Sequence, residues 1–397
     1  MTAVVTSCSR GLQKANIESR SLSGPLAINT KPRLLALGYG FSVGVKKDGS
    51  VWTWGHNHRD ILARPVGSEI EGYTPAKVPN LSEAISVSAA DCVLILKKDG
   101  TVWSWGRNAH GQLGYKTEEI YSAVPKMITG LSDVIDISTQ AETSQALRRD
   151  GTVWGWGWNA SGKLGFSEEA SIFMPRQIEG LRHIVRIEVG MGASFAIDKK
   201  GVLWSYGNDL PRLGRAADKN GKGSFQPQKV SLPLPVVDVS AQSGASYALL
   251  SDGSVWSWGN NRGGELGTGE SRSVIASVPN KIKSISGVVA IASADGGAGL
   301  TEAGEVIVWG VSAGGPPPAA PFPRHDLDVP HLLPFMTKMP ARSFTGGLGV
   351  YALIDRDGNT WFWKANNEGQ RGIGKKIERP APEYWVTPEK SLWAFNQ

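Results

Sequence analysis

Six histidines and two cysteines are the residues of this 397-residue chain best suited to bind a metal or act as nucleophiles, and their spacing supports neither role. His56-x-His58 is the one short histidine pair, a spacing that a loop also produces by coincidence, and His110, His183, His325 and His331 stand apart. No Gly-x-Ser-x-Gly elbow sits between a strand and a helix, and no glycine-rich loop opens a helix to cradle a phosphate. Cys8 and Cys92 are too few for a disulfide framework. No catalytic residue, metal ligand or cofactor is assigned, and the expected role is non-enzymatic.

The remaining chemistry is that of recognition. Large or charged side chains follow a recurring Trp-x-Trp-Gly strand: His56, His58, Arg59, Arg107, His110, Trp158 and Arg262. Exposed Trp and Arg are favoured interface anchors. Trp158 is singled out because it comes after Gly157, where its strand is expected to have ended; packing on an adjacent loop is the alternative. A second candidate is Gly314-Gly315-Pro316-Pro317-Pro318-Ala319-Ala320-Pro321-Phe322-Pro323, a stiff projecting loop in which Pro317 and the apolar tip Phe322 could anchor a partner. Its alternative is a tolerated insertion. A third is a run of turns: Lys46-Lys47-Asp48-Gly49, Lys97-Lys98-Asp99-Gly100, Arg148-Arg149-Asp150-Gly151 and Asp198-Lys199-Lys200-Gly201 are net positive, and the three turns that follow them are net negative. One arc of a rim would then be basic and the other acidic, which steers a polar partner, unless Lys and Asp are there only because they suit solvated turns.

These residues are held by a repeat. The Trp-rich strand ends at Gly55, Gly106, Gly157, Gly207, Gly259 and Gly310, with a seventh copy, Trp361-Phe362-Trp363, running into Lys364; the steps are 50 to 54 residues. Such a period marks a propeller or solenoid. Each unit has the same order, clearest at Ala84 to Ser88, Cys92 to Leu96, the Asp99-Gly100 turn and Thr101 to Trp105. Apolar runs of this length bounded by Gly and Asp are strands, and the Asp-Gly link is a tight hairpin. A fourth strand is read at Pro75 to Val78, Pro125 to Ile128, Pro175 to Ile178 and Pro227 to Val230, with the proline at its start marking a sheet edge. Gly49, Gly100, Gly151, Gly201, Gly253, Gly304 and Gly358 are expected at positive φ. Asn108, Asn159 and Asn261 are expected to fold back on their own backbone.

The fold is therefore all-β: a seven-bladed propeller of four-stranded antiparallel blades, with residues 1–24 as a flexible arm and 25–397 as a single domain. No helix is expected. The tail, Pro382 to Val386 and Leu392-Trp393-Ala394-Phe395, is expected to close the ring by pairing with N-terminal residues. No run approaches 18 apolar residues, so no membrane span is expected, and no secretory signal is visible at the N-terminus. Residence in a cytoplasm follows by default, with export by a dedicated machine as the alternative. A net charge of +6 with acids interspersed argues against nucleic acid as a partner.

The block from the apolar strand through Asp-Gly to Val-x-x-Trp-Gly-x-Asn-x-x-Gly-x-Leu-Gly resembles the repeats of the regulator of chromosome condensation family over residues 25 to 397. The resemblance implies the propeller. It also implies a range of functions, from guanine nucleotide exchange on the Ran GTPase to bacterial effectors and secreted β-lactamase inhibitors. Family repeats usually carry a His eight residues before the hairpin Gly, where this chain has Phe41, Cys92, Thr143, Ala193, Ala245 and Gly296, which points to a bacterial relative. The expected function is a monomeric protein-interaction scaffold, an effector or inhibitor binding a protein partner through rim loops. Exchange on a Ran-type small GTPase is the alternative.

Overall fold

A computed structural model describes residues 22–167, 169–216, 225–242, 244–270, 274–310, 328–332, 341–347, 349–364, 367–377 and 389–396. Seven four-stranded antiparallel sheets follow one another in sequence, blade 1 beginning at Leu35–Leu37 and blade 7 at Ala341–Gly347. The innermost strands of successive blades touch, and that of blade 7 touches that of blade 1, so the ring is closed.

The hairpins explain the repeated Asp-Gly. Asp99 Oδ1 accepts from both the backbone N–H (2.9 Å) and the hydroxyl (2.7 Å) of Thr101, and Asp48, Asp150 and Asp252 do the same for Ser50, Thr152 and Ser254. All seven hairpin glycines have φ between 76° and 85°, where a side chain would be strained. Asn108, Asn159 and Asn261 each accept, through Oδ1, the backbone N–H of a leucine five residues on, as expected.

The two tryptophans of the strand do different work. The second is fully buried between blades, and in blades 1, 2, 3 and 5 its indole N–H crosses to the loop of the preceding blade: Trp54 to the Gln370 carbonyl, Trp105 to Ile61, Trp156 to Gln112 and Trp258 to Arg212; Trp309 and Trp363 make no such bond. Where the pattern has tyrosine, the Tyr206 hydroxyl donates to Gln145 Oε1 of the blade before, at 2.8 Å. The first tryptophan is half-buried, and Trp52, Trp154 and Trp256 bond the hairpin Ser or Thr of their own blade, whereas the Trp103 indole N–H has no partner.

Three expectations are corrected. The ring is not closed by pairing N- and C-terminal strands: Glu389–Ala394 pairs with Asn359–Lys364 as the outer strand of its own blade. Closure is by face packing instead, with Trp393 stacked on Trp54 at 5.6 Å and filling the space over Gly44, because every blade takes its outer strand from its own unit. Residues 381–388 of the tail lie outside the described residues. The proline is not at the start of the outer strand in blades 2, 3 and 5. Tyr121–Met127, Ser171–Gln177 and Ile275–Lys281 hold Pro125, Pro175 and Pro279 past their middle, at a register shift where no ladder N–H is needed. Two short helices also occur in loops, Glu69–Tyr73 and Leu210–Leu213.

The segment before blade 1 crosses the mouth of the central channel. Ser23 bonds the Glu302 carboxylate, Leu26 N–H donates to the Ser251 carbonyl and Asn29 N–H to that of Val237. Arg33 then reaches across the channel, giving Nη1 to Asp136 (2.7 Å) and the Ile137 carbonyl (2.6 Å), and Nη2 to Glu188 (2.7 Å) and the Ile187 carbonyl (2.9 Å). Gln242 continues the network, from Nε2 to Glu188 Oε1, and its own Oε1 accepts from Gln140 Nε2.

Candidate functional site

Antiparallel strands put the seven hairpins on one face of the ring, and the loops after the Trp strand on the other together with the turns between first and second strands. The basic hairpin residues divide into two sets. Lys46 lies over Trp52 at 3.8 Å, Lys97 over Trp103 at 5.4 Å and Arg148 over Trp154 at 5.7 Å, so these three cover their own hairpins. Lys47, Lys98, Arg149, Lys199 and Lys200 are exposed.

On the opposite face, the residues expected after the Trp strands are partly gathered. Gly157 passes so close to the turn of its own blade that a Cβ would sit 2.3 Å from the Glu142 carbonyl, and the same carbonyl accepts the Trp158 N–H at 2.8 Å. The strand therefore runs through Trp158 (Val153–Trp158) instead of ending at Gly157, and the indole is half-buried, not free. His110 lies against Trp158, 5.9 Å between ring centroids, with Nδ1 3.1 Å from Ser171 Oγ and Nε2 3.6 Å from Glu142 Oε2. Arg107 Nη1 is paired with Glu142 Oε1 at 2.6 Å. His58 accepts from Arg59 Nε at 3.1 Å, and Arg59 lies over Tyr121. Tyr39, His58, Arg59, Asp91, Arg107, Tyr121, Glu142 and Trp158 line a cleft of about 460 Å³ spanning blades 1 to 3, and His110 stands outside that lining, against Trp158 and Glu142. Arg262 is exposed on the blade 5 loop, outside the cleft, and Pro317 and Phe322 lie outside the described residues. His56 pairs with Glu368 at 3.4 Å. Among the described residues no group of three His, Cys, Asp or Glu side chains is placed to hold a metal ion.

Asp91, Glu142 and Tyr39 were not foreseen. Asp91 and Glu142 stand nine residues before their hairpin glycines, a slot held by Gly40, Gly192, Gly244 and Gly349 in blades 1, 4, 5 and 7 and by Asp295 in blade 6. Acid in place of glycine in successive repeats was the signal available. Beneath them Lys163 is buried, donating to the carbonyls of Gln140 (3.4 Å) and Ala141 (3.2 Å), and burial brings its ammonium down to about 7. Burial likewise pushes the Asp91 carboxyl up, against the hydrogen bond that Gln112 Nε2 gives Oδ2 at 2.8 Å; Oδ1 is buried without a partner.

A carboxyl raised in the folded state binds its proton more tightly there than in the unfolded chain, so its contribution to stability falls as pH climbs above the ordinary aspartate range near pH ~4. Asp91→Asn keeps the shape and an acceptor for Gln112. It is expected to be more stable than wild type at pH 8, the two converging as pH falls toward that range. Denaturant titrations across pH check this, and a constant difference would refute it.

The sequence pattern of the RCC1-like domain matches residues 74–394, and that of the regulator of chromosome condensation (RCC1) repeat matches residues 33–60. Over 351 residues the chain is 28% identical to the human E3 ubiquitin-protein ligase HERC2, covering 84% of this chain but 7% of that protein, so it corresponds to a small part of that relative. Over 364 residues it is 27% identical to the mitochondrial RCC1 domain-containing protein RUG3 of Arabidopsis thaliana, 88% of this chain and 67% of that protein. The solved structure of Prp20p from Saccharomyces cerevisiae superposes with a TM-score of 0.55 at 21% identity, covering 92% of this chain and 82% of that one, a likeness of fold. No helix among the described residues is long and apolar enough to cross a membrane.

Proposed function

The chain belongs to the RCC1-like domain family, and from that premise we propose that it is a non-enzymatic protein-binding module whose loop face takes its partner at the cleft of blades 1 to 3. The observation that carries this reading is the convergence there of Trp158, Arg107, Tyr39 and Tyr121 from three blades around Glu142, with His110 packed against Trp158 and Glu142. Aromatic and Arg side chains in a partly desolvated pocket are the usual anchors of protein interfaces. Prp20p is a protein with binding properties toward Gsp1p and histones, in keeping with a propeller that binds proteins. The slots that lack histidine support a bacterial relative.

The test is affinity capture from lysate of the source cell with three forms: wild type, Trp158→Ala with Arg107→Ala, and Lys98→Glu with Arg149→Glu. A specific partner is expected to survive the hairpin-face change and to lose about 30-fold or more in affinity with the cleft change. The reverse pattern would move the binding face to the hairpins and end this reading. Guanine nucleotide exchange is the alternative, and release of labelled GDP from any small GTPase captured separates the two.

A further inference from the structure

The cleft already holds a basic side chain of the protein's own. Arg59, exposed in the blade 1 loop, lays its guanidinium over the ring of Tyr121 in blade 2, 4.1 Å from the centroid. No carboxylate among the described residues is paired with it, and its Nε donates only to the neighbouring His58. The backbone that delivers it holds two consecutive non-glycine residues in the left-handed region, Arg59 at φ 52° and Asp60 at φ 58°. Side chains rarely adopt that conformation, and the loop is held in it by its own hydrogen bonds, Asn57 Oδ1 accepting from the Leu62 N–H and Asn57 Nδ2 donating to Asp60 Oδ1, so that only the exposed end of the Arg59 side chain is free to move.

The acceptors of the same cleft are unequally used. Glu142 is shared by Arg107 and His110, whereas Asp91 receives only Gln112 on Oδ2 and leaves Oδ1 buried without a donor. Tyr39, 48% exposed, and Arg59, also exposed, line the same cleft as Asp91 and have the least packing to lose if a ligand moves them aside. An aromatic face that already binds a guanidinium and a carboxylate oxygen in want of a donor are both satisfied by one ligand chemistry. Arginine suits it better than lysine, because a flat guanidinium stacks and donates from several N–H groups at once.

We propose that this cleft is a socket for an arginine side chain presented by a protein partner, and that Arg59 is a tethered occupant which the partner's arginine displaces. The inference rests on the reading of the loop face as a protein-binding surface. An occupant built into the protein lowers the apparent affinity for an external one by the fraction of time it is seated.

The test uses the full chain and Nα-acetyl-arginine amide, compared by saturation-transfer NMR with Nα-acetyl-citrulline amide, which keeps the shape without the charge, and Nα-acetyl-lysine amide. Arginine amide is expected to bind about tenfold more tightly than citrulline amide. Two substitutions then act in opposite directions. Arg59→Ala vacates the Tyr121 face and is expected to tighten arginine amide by roughly threefold or more. Asp91→Asn keeps the shape, removes the charge and is expected to weaken it by about tenfold. Arg262→Ala, on the blade 5 loop, is expected to change nothing. Citrulline or lysine amide binding as well as arginine amide would overturn the proposal, as would no binding at all, or an Arg59→Ala protein that binds no better than wild type. Because Asp91→Asn is expected to fold at least as stably as wild type, its loss of binding cannot be put down to unfolding. If partner capture depends on Trp158 while arginine amide fails to bind, the binding-face reading stands and the arginine socket falls.

Discussion

Replacing Arg33 by alanine is expected to cost about 3–5 kcal/mol of folding stability at pH 7. One guanidinium serves four acceptors on the inner strands of blades 3 and 4, two carboxylates and two backbone carbonyls, all within 2.9 Å. The Asp136 and Glu188 side chains are only 11% and 7% exposed, so water cannot take over the role fully. Arg186 stands next to Asp136 and Asp238 at 3.8 and 3.6 Å, at the distance of an ion pair but not of a hydrogen bond, so it does not replace Arg33.

The charge share of that loss has its own signature. Burial pushes the Glu188 carboxyl up, and Arg33 pulls it back down. Without Arg33 the carboxyl rises further, the folded state takes up a proton that the unfolded chain at neutral pH does not, and acid then favours folding. The deficit of Arg33→Ala relative to wild type is therefore expected to shrink between pH 7 and pH ~5, measured by denaturant titration at each pH. An equal deficit at both would mean that the packing of the segment over the channel, and not its charge, holds the ring.

Arg33 was not legible in the sequence, for a physical reason. It precedes the first repeat, and its partners Asp136 and Glu188 lie 103 and 155 residues away, brought to it only by closure of the ring. What repeats was legible, because a blade is a local object: the hairpin glycines sit at positive φ and the asparagines bond the leucine five residues on. The cleft was legible in half. Arg107, Trp158 and His58 stand at or just past the end of the Trp strand and could be picked out as a set, whereas Asp91, Glu142 and Tyr39 occupy turns whose proximity depends on how neighbouring blades pack. Closure was misjudged because a C-terminal strand looks the same in sequence whether it completes its own blade or the first one.

Replacing Trp156 by alanine is expected to cost about 3–5 kcal/mol, by removing a fully buried indole from between blades 2 and 3. The ring packs in the cluster of Leu94, Leu96 and Val102 on one side and Ile137, Ala146 and Leu164 on the other, so the cavity opens at a blade interface and not within a sheet. Trp156→Phe separates the two contributions. It keeps most of the apolar area and loses the N–H to the Gln112 carbonyl, which still accepts from Ser144 Oγ at 2.9 Å, so a loss of about 1 kcal/mol is expected. The form of the transition matters as much as its midpoint. In a linear repeat array a weakened interface can divide unfolding into steps, since each unit is stabilised by its neighbours alone. Here blade 7 packs against blade 1 through Trp393 and Trp54, and Arg33 ties the segment before blade 1 to blades 3 and 4, so no blade has a free flank. Trp156→Ala is accordingly expected to unfold in a single transition at lower denaturant. A second transition left at the wild-type midpoint would show that the ring is a set of separable units and that its closure contributes little.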